Sequence, residues 1–139
     1  IENKKIQLDM LAKIAFSNST NHKILNGIMW PEISVLIDQA YEDAKMKNNK
    51  LFIVDAALIF EANFKSFFDK ILLISTNKPN RIKRAVNRRN FSLEDIQNRI
   101  FLQMPEKEKK KIADIIIFNN GNVSNLYSKL DELYIDLLK

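Results

Sequence analysis

"KILLIS" at residues 70–75 decides how the rest of the chain is read. Ile71, Leu72, Leu73 and Ile74 follow one another with no polar residue between them. A strand with one wetted face alternates apolar and polar side chains, whereas a strand covered on both faces runs apolar throughout. The stretch therefore predicts a strand of a parallel sheet, buried on both faces. Two more stretches share the pattern: "LFIVD" (51–55) upstream and "DIIIF" (114–118) downstream.

Helical patterns fill the intervals. Ile6, Leu8, Leu11, Ile14 and Ala15 recur at helical spacing over residues 6–16. "NSTN" (18–21) ends that helix and caps the next, over 21–29. Pro31 predicts the first turn of a long helix reaching Lys47, with Ile33, Leu36, Ile37, Ala40, Tyr41 and Ala44 on its apolar stripe. Pro79 opens a helix to Arg89, and Pro105 opens another to Ile112. Ser92 and Asp95 have the spacing of a capping box for a helix to Gln103. "NNGN" (119–122) then turns into a closing helix marked by Leu126, Leu130, Leu133 and Leu137. Strands alternating with helices predict an α/β fold, a parallel sheet with flanking helices. With no internal repeat and no long linker, residues 1–139 are expected to form one domain. Residues 1–48 would be a helical region beside a sheet core at 49–139.

Composition narrows the function. The 139 residues are 46% hydrophobic and 28% charged, as in a globular protein with a real core. No apolar run approaches the roughly 20 residues that span a bilayer. There is no cysteine, which excludes disulfides and thiolate metal sites and fits a cytoplasmic protein. The net charge of +5 points to an anionic partner. The chain opens on Ile1 rather than Met and enters helical sequence at once, so it reads as part of a longer protein.

Three places could carry chemistry. "RIKRAVNRRN" (81–90) puts five basic side chains into nine residues, and Arg81, Arg84 and Arg88 share one helical face. Like charges at such spacings repel by roughly 0.2–0.5 kcal/mol per pair, so the face is either well solvated or meets an anion. With Arg99 and Gln103 on the next helix, Arg84 and Arg88 form a cationic hinge suited to phosphate oxygens. Asp55 closes an apolar strand, as does the carboxylate by which P-loop enzymes hold magnesium; a loop-capping aspartate is the plain alternative. "ALIFE" (57–61) follows, where Leu58 and Phe60 read as packing and Glu61 does not. Phe60, Phe64, Phe67 and Phe68 read as core. "NNG" (119–121) tolerates left-handed backbone and is otherwise an ordinary turn. "EKEKKK" (106–111) reads as a solvated helix face, and His22 has no partner His or Cys to make a metal site.

In order, these stretches resemble successive blocks of the dephospho-coenzyme A kinase family. The resemblance runs from about Ile6 to the closing helix. It rests on Asp55…Leu58-x-Phe60-Glu61, Arg84-x-x-x-Arg88, Arg99-x-x-x-Gln103, Ala113-Asp114 and Asn120-Gly121. It implies a P-loop kinase fold with a helical acceptor-binding subdomain and a basic lid, here about 79–112. It implies transfer of the γ-phosphoryl group of ATP, with Mg2+, to the ribose 3′-hydroxyl of dephospho-coenzyme A, the last step of coenzyme A biosynthesis. On this resemblance Arg84 and Arg88 supply phosphate charge from the lid, and Arg88, Asn120 and Gly121 contact nucleotide. Leu58, Phe60 and Glu61 face the acceptor, and Asp55 holds magnesium through water.

The sequence departs from the family pattern in places. Trp30 stands where His is usual, Ala57 where Pro is usual and Arg89 where an acidic residue is usual. Gly27 and Gly121 are the only glycines, and neither belongs to a G-x-x-x-x-G-K-[ST] loop. The chain alone is therefore expected to be inactive, its partners ATP and dephospho-coenzyme A, with no nucleic acid or membrane and with self-association through exposed apolar surface. Two alternatives remain at this point: a nucleic-acid-binding module using the 81–89 helix, and a non-catalytic interaction subunit derived from a kinase.

Overall fold

A computed structural model describes residues 6–89 and 92–139. Two strands, β1 (Leu72–Ser75) and β2 (Ile115–Phe118), pair in parallel, as their apolar sequences predict. The register sets Leu72 against Ile115 and Ser75 against Phe118. Both ends of the pair are locked. Asp114 N and Ile115 N donate to Ile71 O at 3.0 and 3.1 Å, and Asn119 N donates to Ser75 O at 2.8 Å. Ile71 N in turn donates to Asp114 Oδ2 at 2.8 Å.

The strand expectation needs two corrections. Residues 51–55 are not a strand: among the described residues they make no ladder bond to β1 or β2. A strand exists by pairing, and here the apolar run has no neighbour to supply it. Phe52 packs on Tyr41 with ring centroids 5.8 Å apart, whereas Ile53 is 75% exposed. Nor is β1 covered on both faces. Ile71 and Ser75 are buried, while Leu72 and Ile74 are exposed.

The first helix, α1 (Leu8–Ala15), meets α2 (Ser19–Met46) at a tight corner. Asn18 caps α2 by accepting from Asn21 N at 2.9 Å, and Asn21 Nδ2 reaches back to Ile14 O. A break before Pro31 is absent: α2 runs through the proline as one helix. Pro31 lacks the N–H that would bond Gly27 O, and its ring crowds that carbonyl, at a cost of about 3 kcal/mol. One lost bond does not end a helix whose remaining turns are intact. Ser34 Oγ donates to Pro31 O at 2.7 Å.

A turn over 57–63 and a short 3-10 helix (Phe64–Phe67) lead into β1. Three helices then cross to β2: α3 (Lys78–Arg89), α4 (Leu93–Leu102) and α5 (Glu106–Ile112). Ser92 caps α4, with Asp95 N donating to Ser92 Oγ at 3.1 Å and Ser92 Oγ donating to Asp95 Oδ2 at 2.7 Å. Asn122 caps α6 (Val123–Leu137) through Asn125 N.

Among the described residues the buried apolar side chains are Ala15, Ala44, Ile71, Ile96 and Ile117. Burial is thus concentrated at the sheet and at the places where α1, α2 and α4 approach their neighbours. Ile117→Ala should reduce unfolding free energy by about 2–5 kcal/mol, and the same change at exposed Phe101 by less than about 0.5 kcal/mol. Denaturant titration of the two variants measures the difference.

Candidate functional site

The basic helix makes one wall of a cleft. Arg81, Arg84, Ala85 and Arg88 of α3 face Ile96, Arg99, Ile100 and Gln103 of α4 across about 370 Å³. The helical spacing read from the sequence thus brings Arg84, Arg88, Arg99 and Gln103 to one place. The crowding of charge is resolved one arginine at a time. Arg81 Nη1 pairs with Glu106 Oε2 at 3.2 Å. Arg84 donates to Asn119 O at 2.9 Å and to Gly121 O at 3.1 Å. The Arg99 guanidinium lies 4.3 Å from the Phe16 ring centroid, anchoring α4 to the α1–α2 corner. Arg88 is exposed and makes no hydrogen bond or ion pair among the described residues.

The "NNG" turn is wired to the same helix. Asn120 Oδ1 accepts from Asn77 N at 2.8 Å, and Asn80 Nδ2 donates to Asn120 O at 3.3 Å. At Gly121 a Cβ would press against Asn125 Nδ2 at 3.3 Å, so the turn sits close on the start of α6. Arg84 therefore holds this turn against α3 with two of its five N–H groups, leaving three for an anion.

The 106–111 stretch is not the solvated face its composition suggests. Glu106 is half-buried, and its carboxylate accepts from Ser75 Oγ at the end of β1 and faces Arg81 and Lys110. Partial burial opposes its ionisation. The Ser75 hydroxyl, Lys110 and Arg81 together outweigh that, holding the carboxyl below its ordinary value. Lys109 is buried as well, its ammonium 2.8 Å from Glu61 Oε1. Helical spacing pairs Glu106 with Lys110 in the sequence, but nothing there pairs Lys109 with a residue 48 positions away. Asp114 is also held below the usual carboxylate range, first by the Ile71 N–H and further by Lys65 and Lys70.

A second cleft, about 450 Å³, lies between α2 and the 57–64 turn. Lys23, Asn26, Gly27, Trp30 and Pro31 form one side; Glu61, Ala62 and Phe64 form the other. Trp30 and Phe64 stack at 5.0 Å, and Phe64 meets Phe67 at 4.5 Å. Within the turn, Leu58 O accepts from Ala62 N and Phe60 O from Asn63 N. Asn63 takes a left-handed conformation at φ 58°, one that Asn adopts more readily than most residues. Leu58 and Phe60 are half-buried and shape the turn, while Glu61 borders the cleft. Phe67 is 50% exposed, contrary to its reading as core.

Asp55 is an exposed, lone carboxylate. No group of three His, Cys, Asp or Glu among the described residues could cage a metal. Magnesium bound through waters and nucleotide phosphates needs no cage; one or two carboxylates suffice, and Asp55 fits that donor set.

The parallel strand pair with its helical crossover, the two-helix cationic cleft and the groove beside α2 fit a P-loop kinase fold. A dephospho-CoA kinase from Campylobacter jejuni superimposes with a TM-score of 0.64 at 28% identity, over 99% of this chain and 68% of that one. The crystal structure of TT1252 from Thermus thermophilus shares the fold, with a TM-score of 0.73 at 24% identity over 97% of this chain and 69% of that one. The family model described as dephospho-CoA kinase matches residues 2–125, and the chain belongs to that family. Curated relatives include the dephospho-CoA kinases of Chlorobium chlorochromatii, 30% identical over 93% of this chain, and of Arabidopsis thaliana, 30% identical over 91%. The chain spans 61% and 55% of their respective lengths. No helix among the described residues is long and apolar enough to cross a membrane.

The depressed Glu106 pKa sets a direction for stability. A carboxyl that ionises below its ordinary value near 4.5 stabilises the fold above that pH. The contribution fades as pH falls through the lower native value. Glu106→Gln keeps an acceptor for Ser75 and loses the charge facing Arg81 and Lys110. Melting temperatures of wild type and E106Q should therefore differ at about pH 7 and converge as the pH falls through that lower native value.

Proposed function

We propose that this chain provides the acceptor groove and basic lid of an enzyme that transfers the γ-phosphoryl group of ATP to the ribose 3′-hydroxyl of dephospho-coenzyme A. The observation that carries the reading is the α3–α4 cleft, where four arginines converge and Arg88 has no protein partner among the described residues. Family membership supplies the reaction class. In this reading the chain is one kinase-like domain: residues 1–48 bind the acceptor, 49–139 form the sheet core and about 79–112 form the lid. A cytoplasmic location goes with it.

Phosphoryl transfer asks the protein for alignment and for neutralisation of charge on the moving group. Arg88 and the free donors of Arg84 meet the phosphates. Asn120 and Gly121 line the nucleotide base, their turn set by Arg84. Leu58 and Phe60 shape the turn that Glu61 presents to the acceptor, with Trp30 closing the opposite wall. Asp55 is the carboxylate that would hold Mg2+, which when bound with ATP would supply charge neutralisation at the phosphates. These 139 residues hold no phosphate loop, and we assign the loop and the general base to sequence outside them. Apolar Ile53, Leu72 and Ile74, exposed here, would be covered by that sequence or by self-association.

Two experiments bear on the reading. In the full-length protein, Arg88→Ala should lower kcat/KM for ATP roughly ten- to hundredfold, the loss of one charge-assisted hydrogen bond, with little change in melting temperature. Unchanged kinetics would reduce the arginines to a solvated face, and tighter salt-dependent binding of generic RNA than of ATP would favour nucleic-acid binding. Calorimetry of residues 1–139 with ATP and magnesium should show no micromolar binding, with binding appearing in the full-length protein. Micromolar binding by the short chain would place the nucleotide elsewhere. A full-length protein that binds ATP without turnover would be a non-catalytic relative.

A further inference from the structure

The Glu61–Lys109 pair joins two parts of the molecule that the reaction would have to bring together. Glu61 borders the α2 groove. Lys109 stands on α5, the last helix of the lid region and the one that leads into β2. Their side chains are each 11% exposed, and the ammonium lies 2.8 Å from Glu61 Oε1. The same oxygen accepts from Met104 N at 2.7 Å, at the end of α4. Lys109 also lies over the Phe60 ring, 5.7 Å from its centroid. Glu61 Oε2 is buried with no partner among the described residues.

Burying a charge pair has to be offset by good geometry and further hydrogen bonds, and here Glu61 keeps one oxygen unsatisfied. The other end of α5 is tied to β1 and α3: Glu106 binds Ser75 and Arg81. A seven-residue helix is thus fastened to lid helix α3 through Glu106 and to the groove turn through Lys109. We propose that Lys109 is a positioning residue that fixes the Glu61 carboxylate at the groove and couples its setting to the arginine-bearing helix α3. Lys109 touches neither substrate; it acts through Glu61. Without it, a buried anion loses its counter-charge and turns towards water, releasing Met104 N–H and opening the groove wall.

The assignment of acceptor to groove rests on the function proposed above, and the test keeps the two apart. Lys109→Met, Lys109→Arg, Glu61→Gln and the E61Q/K109M double variant are made in the full-length protein. Exchange of the Met104 amide reads the latch directly. It should accelerate about tenfold in K109M, stay near wild type in K109R, and leave β1 and β2 amides unchanged. In steady-state kinetics, K109M should raise KM for dephospho-coenzyme A about tenfold and KM for ATP less than twofold, with E61Q/K109M no worse than K109M. Unchanged Met104 exchange in K109M overturns the proposal. So does an equal rise in both KM values, or a lower melting temperature with normal kinetics, since each marks a plain packing residue. If wild type does not phosphorylate dephospho-coenzyme A, the kinase reading falls and the Met104 amide alone decides the latch.

Discussion

A single carboxylate, Glu106, is where β1, α3 and α5 meet. It accepts from Ser75 at the carboxyl end of β1, faces Arg81 on α3, and pairs with Lys110 one turn along its own helix. The carboxyl ends of parallel strands are where α/β proteins place ligands, and this contact sets α3 beside that end of β1. Its own charge is kept by donors that outweigh the penalty of partial burial. Remove that balance and α3 loses the fixed end from which its arginines are displayed.

The rest of the basic cleft follows from what Glu106 does not use. Arg81 is neutralised, Arg84 gives two of its five N–H groups to main-chain carbonyls of the 119–121 turn, and Arg99 rests on an aromatic ring. Charge on Arg88 is left facing the cleft. A helix carrying five cations in nine residues is thereby made more tolerable without cancelling its positive field. The α5 helix links this region to the groove lined by Trp30 and Phe64, through the Glu61–Lys109 pair.

Much of this was legible from local pattern. The apolar runs at 70–75 and 114–118 became parallel strands, and Asn18, Ser92 and Asn122 stand at helix starts where their side chains accept the expected backbone N–H. Helical spacing put Arg81, Arg84 and Arg88 on one face, and the cleft contains all three. Two local rules failed where context outweighed them. Pro31 reads as a helix start, yet strong helix on both sides carries α2 through it. "LFIVD" reads as a strand, yet pairing needs a neighbour that the described residues do not offer.

What the sequence determined by itself is therefore the alternation of elements, their caps and the faces they present, because these depend on residues within about one or two turns of each other. Tertiary structure alone decided the long-range partners of the charges. Lys109 in a lysine-rich run looks solvated, and Glu61 looks like an isolated polar residue in an apolar turn. They meet at 2.8 Å only because α4 and α5 fold back past the turn at 57–64. Burial and long-range electrostatics depend on which surfaces approach in space, and no spacing along the chain encodes that.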